Sequence, residues 1–152
     1  MKIHGVDASL TSTGIARTND LVTDKVSTMS IESKKKGVER LIEIRQEVFK
    51  EVMYSGLVVI ESYAFSRPNQ AHQIGELGGV LRVMLYEHNI KFLEVAPTQL
   101  KKFATGKHNA SKEEIAVAAY KKWGIECRTN DETDAAISSL LALCFPVANF
   151  FS

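Results

Sequence analysis

Asp7, Glu61, Asp131 and Asp134 stand where a buried carboxylate is normally avoided, and the chemistry that tolerates such acids is the binding of a hard divalent cation. Asp7 ends the run Met1 to Asp7, an apolar alternation that reads as a strand and stops at the polar turn Ala8 to Thr13 before Gly14-Ile15-Ala16 resumes. That pattern predicts a hairpin with a carboxylate at its mouth. Glu61 closes Leu57-Val58-Val59-Ile60, an unbroken apolar run of the length expected for a central strand covered on both faces, so its charge must lie at the exit of the sheet. Asp131 and Asp134 open a stretch running to Leu143 whose small, apolar composition suits a helix packed on a sheet. Their spacing of three puts both on one helix face.

Each acid also has an ordinary explanation. A carboxylate at a strand end is often a solvated turn, and one in the first turn of a helix complements the macrodipole. As a set they say more, because two strand-end carboxylates and a helix-borne pair are several oxygen ligands that repel one another until a metal neutralises them.

The elements that must position these acids follow from periodicity. A third strand is expected around Lys25 to Glu32, where Val26, Thr28 and Ser30 alternate with more exposed positions. From Val38 to Val52, Val38, Leu41, Ile42, Val48, Phe49 and Val52 recur at helical spacing and predict an amphipathic helix leading back to the strand at Leu57. A loop from Ser62 to Asn69 precedes a second helix with a buried stripe of Ile74, Leu77, Leu81, Met84 and Leu85. Gly75, Gly78 and Gly79 thin that helix, and since glycine costs helix stability, close packing is expected to compensate. Ile90 to Val95 reads as a further strand, and Pro97 suits the first position of a short helix. Ser111 and Glu114 form a capping-box pattern for a helix from Lys112 to Trp123, ended by Gly124. Thr129 or Asn130 caps the last helix, with Glu132 answering Thr129 as the reciprocal partner. The order is three strands, helix, strand, helix, strand, then helices, with no repeat or linker. It reads as one domain over residues 1–152 of the α/β class.

Composition sets limits. A chain of 152 residues with 45% hydrophobic content can bury a substantial core. The formal charge of +1 is close to neutral, so nucleic-acid binding must come from local clusters of cations. Between Pro97 and Arg128 lie Lys101, Lys102, Lys107, Lys112, Lys121, Lys122 and Arg128 against Glu113, Glu114 and Glu126, and Lys34-Lys35-Lys36 adds a second cluster. The plain alternative is that these lysines solvate helix faces. Cys127 and Cys144 lack zinc-site spacing and read as small hydrophobes, and His4, His72, His88 and His108 show no ligand pattern, although His108 in a basic loop is placed to touch a phosphate. No apolar run has the length of a membrane span or the layout of a signal peptide, so a cytoplasmic protein is expected, in a bacterial cell or encoded by a phage and active in its host.

The motifs Gly5-Val6-Asp7-Ala8-Ser9 with Gly14, Val59-Ile60-Glu61, Ala96-Pro97-Thr98-Gln99-Leu100-Lys101, Ser111-Lys112 and Asp131-Glu132-Thr133-Asp134-Ala135 together resemble the RuvC family of Holliday-junction resolvases. The resemblance covers nearly the whole chain in the right order. It implies a ribonuclease H-like fold: a mixed five-stranded sheet, three antiparallel strands then two parallel, flanked by helices. It also implies a homodimeric endonuclease that nicks two opposing strands of a four-way DNA junction and leaves 5′ phosphate and 3′ hydroxyl ends. Asp7, Glu61, Asp131 and Asp134 match the family's metal-binding catalytic acids. The implied cofactor is Mg²⁺, two ions per site, with Mn²⁺ as a substitute. Lys112 matches the family lysine near the scissile phosphate, and Lys101, Lys102 and Lys107 are further DNA-binding candidates.

Two features depart from the family pattern. Three residues after Glu61 the family places an aromatic, where this chain has Ala64 between Tyr63 and Phe65; either ring is a candidate to stack on an unpaired junction base, and packing within the chain is the alternative. Thr11-Ser12-Thr13 replaces a turn richer in Gly and Pro. The short chain suggests a minimal or phage-encoded relative that accepts other branched DNA as well. Dimerisation follows from the symmetry of the substrate, with Gly75 to Tyr86 as the candidate interface. Two other readings stay open: a ribonuclease H-like nuclease acting on RNA:DNA hybrid or unbranched DNA, and a nucleotide-binding protein, since Gly5-Val6-Asp7 with Ser9 and Thr11 faintly resembles the first phosphate loop of actin-like ATPases. The chain is short for two such lobes.

Overall fold

A computed structural model describes residues 1–18, 26–62 and 68–144. Its elements run β1 (Ile3–Asp7), β2 (Thr13–Thr18), β3 (Ser27–Ile31), α1 (Gly37–Val52), β4 (Leu57–Glu61), α2 (Pro68–Glu87), β5 (Phe92–Val95), α3 (Pro97–Thr105), α4 (Lys112–Trp123) and α5 (Asn130–Cys144). The strands form one sheet in the order β3-β2-β1-β4-β5. β1 pairs antiparallel with β2, and β2 with β3, while β4 lies parallel to both β1 and β5. This is the mixed sheet expected of a ribonuclease H-like fold.

Strands β1 and β4 are buried along almost their whole length because helices cover both faces of the sheet. Alternation sorts their side chains. Val6, Ile15, Val58 and Ile60 join Leu41, Ile44, Leu77, Leu81 and Met84 in one core, against α1 and α2. Ile3, Ala16, Leu57 and Val59 join Leu100, Ile115, Ala119, Ala135 and Ile137 in the other, against α3, α4 and α5. With a period of two, the face that carries Leu57 and Val59 also carries Glu61, and the face that carries Ile3 and Gly5 carries Asp7.

Helix ends obey local chemistry. Ser111 Oγ accepts the Glu114 N–H at 3.2 Å while the Glu114 carboxylate accepts the Ser111 N–H at 2.8 Å, and Gly124 closes α4 in the left-handed conformation at φ 64°. Gln99 similarly accepts the Ala96 N–H at 2.8 Å ahead of Pro97.

Several boundaries and faces differ from the sequence expectation. β3 is shorter than the expected span, and Lys25 lies outside the described residues. β5 begins at Phe92; Ile90 instead donates its N–H to Leu85 at 2.9 Å and finishes the turn after α2. α2 starts at Pro68, within the span expected to be loop. On α1 the buried stripe is Leu41, Ile44, Val48 and Val52, whereas Val38 and Ile42 are 67% and 46% exposed. The helix is rotated so that Ile44, absent from the expected stripe, points at the sheet. On α2, Leu77, Leu81, Met84 and Leu85 are buried as expected, and the side chain of Ile74 lies outside the described residues. Gly78 and Gly79 differ from a further expectation: among the described residues a Cβ at either would meet nothing within 4 Å, so no close packing against those residues compensates for them.

Candidate active site

The site begins with register. Val6 on β1 faces Ile60 on β4, so the next residues along the two parallel strands, Asp7 and Glu61, emerge side by side at the carboxyl end of the sheet. On the other flank Asp7 is paired with Gly14. The turn between β1 and β2 is fastened by Thr13, whose Oγ1 accepts the Ser9 N–H at 3.2 Å and donates to the Ser9 carbonyl at 2.7 Å. Beyond Glu61, Ser62 donates its N–H to the Val95 carbonyl at 2.8 Å and fixes the exit from β4.

The helix-borne acids arrive because α5 lies unusually close to the strands. A Cβ at Gly5 would stand 1.8 Å from the Ala135 carbonyl oxygen, and one at Gly14 would stand 2.2 Å from that of Asp131. Only glycine leaves room for the helix backbone at these two places. The inward face of α5 is correspondingly small, with Ala135, Ala136, Ser138 and Ser139 buried, and both serine hydroxyls donate back into the helix, to Asp134 and Ala136 carbonyls at 2.8 Å. The first turn of α5 is thereby set over the ends of β1 and β2.

The result is that carboxylate oxygens of Asp7, Glu61 and Asp134 lie within 4.8 Å of one another, a spacing that can hold a metal ion. Asp131, the fourth expected acid, is not part of that trio but stands close enough for its charge to act on Asp7. Burial, then the charges of Glu61, Asp134 and Asp131, drive the Asp7 carboxyl well above the usual carboxylate range. Burial and Asp134 raise Glu61 to about 8, against the opposing pull of Lys112 and Lys101. Asp134 is raised to about 6, chiefly by burial, with Lys112 again lowering it. One oxygen of Glu61 is buried with no hydrogen-bond partner among the described residues. Crowded carboxylates that resist ionisation, one of them orphaned, are the donor set that a hard divalent cation completes.

Of the expected cations, Lys112 and Lys101 face this cluster closely enough to lower the pKa of Glu61 and Asp134. Lys107 makes an ion pair with Glu114 at 3.3 Å, and Lys102 is exposed on α3. Tyr63 and Phe65 lie outside the described residues. His4 is buried in β1 with its Nδ1 3.0 Å from Ser55 Oγ, and burial with Arg17 and Lys2 lowers it to about 4. His88 packs its ring on Phe49. Cys127 is half-buried, and burial pushes its thiol up.

One participant was given a different role by sequence. Glu132 does not answer Thr129: its carboxylate accepts from Ser30 Oγ at 2.7 Å, Thr28 Oγ1 at 3.4 Å and the Arg128 N–H at 3.0 Å. The Thr129 half of the cap does form, its Oγ1 accepting the Glu132 N–H at 3.1 Å. A polar Ser30 and Thr28 on the helix-facing side of β3 were the available signal.

Residues 3–144 match the family model described as crossover junction endodeoxyribonuclease RuvC. Relatives of that name include one from Chlamydia muridarum, 34% identical over 57% of this chain and 52% of its own, and one from Campylobacter curvus, 26% identical over 92% of this chain and 94% of its own. The chain thus spans about half the length of the Chlamydia relative and nearly all of the Campylobacter one. Among solved structures, Thermus thermophilus RuvC in complex with Holliday junction substrate superposes with a TM-score of 0.78 at 21% identity, covering 92% of this chain and 91% of that one. The fowlpox virus Holliday junction resolvase gives 0.60 at 14% identity, covering 94% and 98%. At these identities the structural likeness establishes the fold.

Proposed function

The chain belongs to the RuvC family of crossover junction endodeoxyribonucleases, and we propose that it is a single-domain, structure-selective DNA endonuclease that resolves four-way junctions by metal-dependent nicking of two opposing strands. The observation that carries this reading is the convergence of Asp7, Glu61 and Asp134 within 4.8 Å, from three separate elements of a chain with the family's sequence pattern.

Asp7, Glu61, Asp131 and Asp134 would hold the cation, Mg²⁺ with Mn²⁺ as a substitute and two ions per site. When bound, the metal would supply Lewis acidity toward a water nucleophile and toward the charge developing on the phosphodiester. The chain's own part is to keep these carboxylates in place before the metal arrives, and the orphaned oxygen of Glu61 is a preformed ligand position. Lys112 is the residue we assign to the scissile phosphate, where its charge stabilises the negative charge that builds on the non-bridging oxygens. Lys101, Lys102 and Lys107 extend a cationic track for the DNA backbone, with Lys107 exchanging Glu114 for phosphate. Tyr63 and Phe65 are the candidates for stacking on junction bases. The products carry 5′ phosphate and 3′ hydroxyl ends. The enzyme acts in the cytoplasm, where its DNA lies.

A four-way junction has two-fold symmetry, so two cuts are most simply made by a homodimer. Gly78 and Gly79 leave an open strip on α2, and Val83 and Tyr86 on the same helix are 56% and 80% exposed. This is a surface on which a second helix can approach closely.

Competition between substrates tests the reading. Unlabelled four-way junction should suppress cleavage of labelled junction far more strongly than an RNA:DNA hybrid or linear duplex of equal length; equal suppression by the hybrid would assign the site to a different nuclease class.

A further inference from the structure

We infer that Glu132 is a positioning residue for the metal site, a buried carboxylate that fixes the first turn of α5 against β3 and so sets where Asp131 and Asp134 present their oxygens. The inference rests on the reading of the acid cluster as the metal centre.

Glu132 sits between the two aspartates in sequence but faces away from them, and it is only 5% exposed. A carboxylate so buried is costly unless its lone pairs are filled. Here they are. One oxygen accepts from Ser30 Oγ at 2.7 Å, and the other accepts the Arg128 N–H at 3.0 Å and Thr28 Oγ1 at 3.4 Å. Its own N–H is capped by Thr129 Oγ1 at 3.1 Å. The side chain therefore joins three pieces: the edge strand β3, the segment entering α5, and the helix itself. None of these bonds reaches the acid cluster.

The geometry makes this clamp specific to the site. Gly5 and Gly14 set how closely α5 approaches the sheet, but a smooth contact of helix backbone on glycine leaves sliding and rotation of the first turn weakly opposed. Three hydrogen bonds of fixed direction to β3 and to Arg128 oppose both. Small displacements of a first turn move the carboxylates at 131 and 134 by a comparable amount, and metal ligands tolerate little of it.

The test is Mn²⁺ binding to the DNA-free protein, read by electron paramagnetic resonance, alongside the Mg²⁺ concentration for half-maximal junction cleavage, each at temperatures well below unfolding. Glu132→Ala should weaken Mn²⁺ binding and raise the Mg²⁺ requirement by about tenfold, the effect typical of removing a residue that orients metal ligands. Glu132→Gln should restore both to within about twofold of the unaltered protein, because an amide can accept from Arg128 and donate to Ser30. Ser30→Ala, which cuts the shortest bond and leaves the carboxylate in place, should give an intermediate shift. Altered thermal stability with an unchanged Mn²⁺ affinity and Mg²⁺ requirement in both Glu132→Ala and Ser30→Ala would overturn the inference. Should Glu132→Ala fail to fold, Ser30→Ala and Glu132→Gln decide it by the same readings. Absence of Mn²⁺ binding by the unaltered protein would instead overturn the metal-centre reading, and this inference with it.

Discussion

Gly5 on β1 and Ala135 on α5 are in backbone contact: a Cβ on Gly5 would stand 1.8 Å from the Ala135 carbonyl oxygen. This closeness carries Asp134, the neighbour of Ala135, to the end of the strand that bears Asp7. Gly5→Ala should therefore push the helix away, destabilise the fold by about 3 kcal/mol as overpacked cores do, and abolish cleavage in whatever fraction remains folded. Chemical denaturation and junction cleavage, measured on the same preparation, check both parts.

Removing one of the crowded charges should separate stability from activity. In Asp7→Asn and Glu61→Gln the mutual repulsion falls, so the metal-free protein should gain about 1 kcal/mol or more, one pKa unit of relieved strain being worth about that much. Junction cleavage should fall by at least about 10³-fold, since a metal ligand is lost. Denaturant midpoints and single-turnover cleavage rates are the measurements.

The pH dependence follows from the direction of the shifts. Asp7, Glu61 and Asp134 all have folded-state pKa values above those of an unfolded carboxylate, Glu61 at about 8 and Asp134 at about 6. Below about pH 4 such groups are protonated in both states and cost nothing. As pH rises toward 8 the unfolded chain ionises first, so the metal-free protein should lose stability across that interval. A cation reverses this by binding the ionised form, and at pH 7 each binding event should release protons. Calorimetry of Mg²⁺ binding in buffers of different ionisation enthalpy measures that release; a heat independent of buffer would contradict the shifts.

Much of this arrangement is legible in sequence because it follows short-range rules. The apolar run ending in Glu61, the hairpin around Asp7 and the capping box at Ser111 are each set by a few neighbouring residues, and all appear as read. Other features depend on contacts between distant segments. The α1 stripe misses Ile44 because Leu41, Val48 and Val52 can be flanked on one side by Ile42 or on the other by Ile44, and only the sheet decides which flank is buried. Glu132 has the spacing of a capping partner, yet the hydroxyls that donate to its carboxylate, Ser30 and Thr28, lie on β3, far away in the chain. Gly78 and Gly79 look like sites of close packing, yet among the described residues nothing lies within 4 Å of where their Cβ atoms would stand.

Those two glycines give a prediction about assembly. Both lie inside α2, so replacement by alanine should favour the helix by roughly 0.5–1 kcal/mol in the isolated chain. If α2 meets its copy across this strip, the added methyl groups should weaken the dimer at the same time. Sedimentation over a range of concentrations would show Gly78→Ala and Gly79→Ala shifted toward monomer; an unaltered monomeric mass with full junction cleavage would remove the dimer.

Lys112 and Lys107 should separate in a cleavage assay. Lys112 faces the acid cluster, and Lys112→Ala should lower the single-turnover rate by about 10²-fold, as loss of a charge-stabilising donor does. Lys107 is held by Glu114, and Lys107→Ala should chiefly weaken junction binding and reduce its salt dependence, with a smaller effect on the rate.

The convergence of carboxylates is tested most directly by locating the metal itself. Anomalous scattering from crystals of the protein soaked in Mn²⁺ should show a peak coordinated by Asp7, Glu61 and Asp134, and that peak should vanish in Asp7→Asn. Strong Mn²⁺ peaks elsewhere, with nothing among these carboxylates, would contradict the assignment of the site.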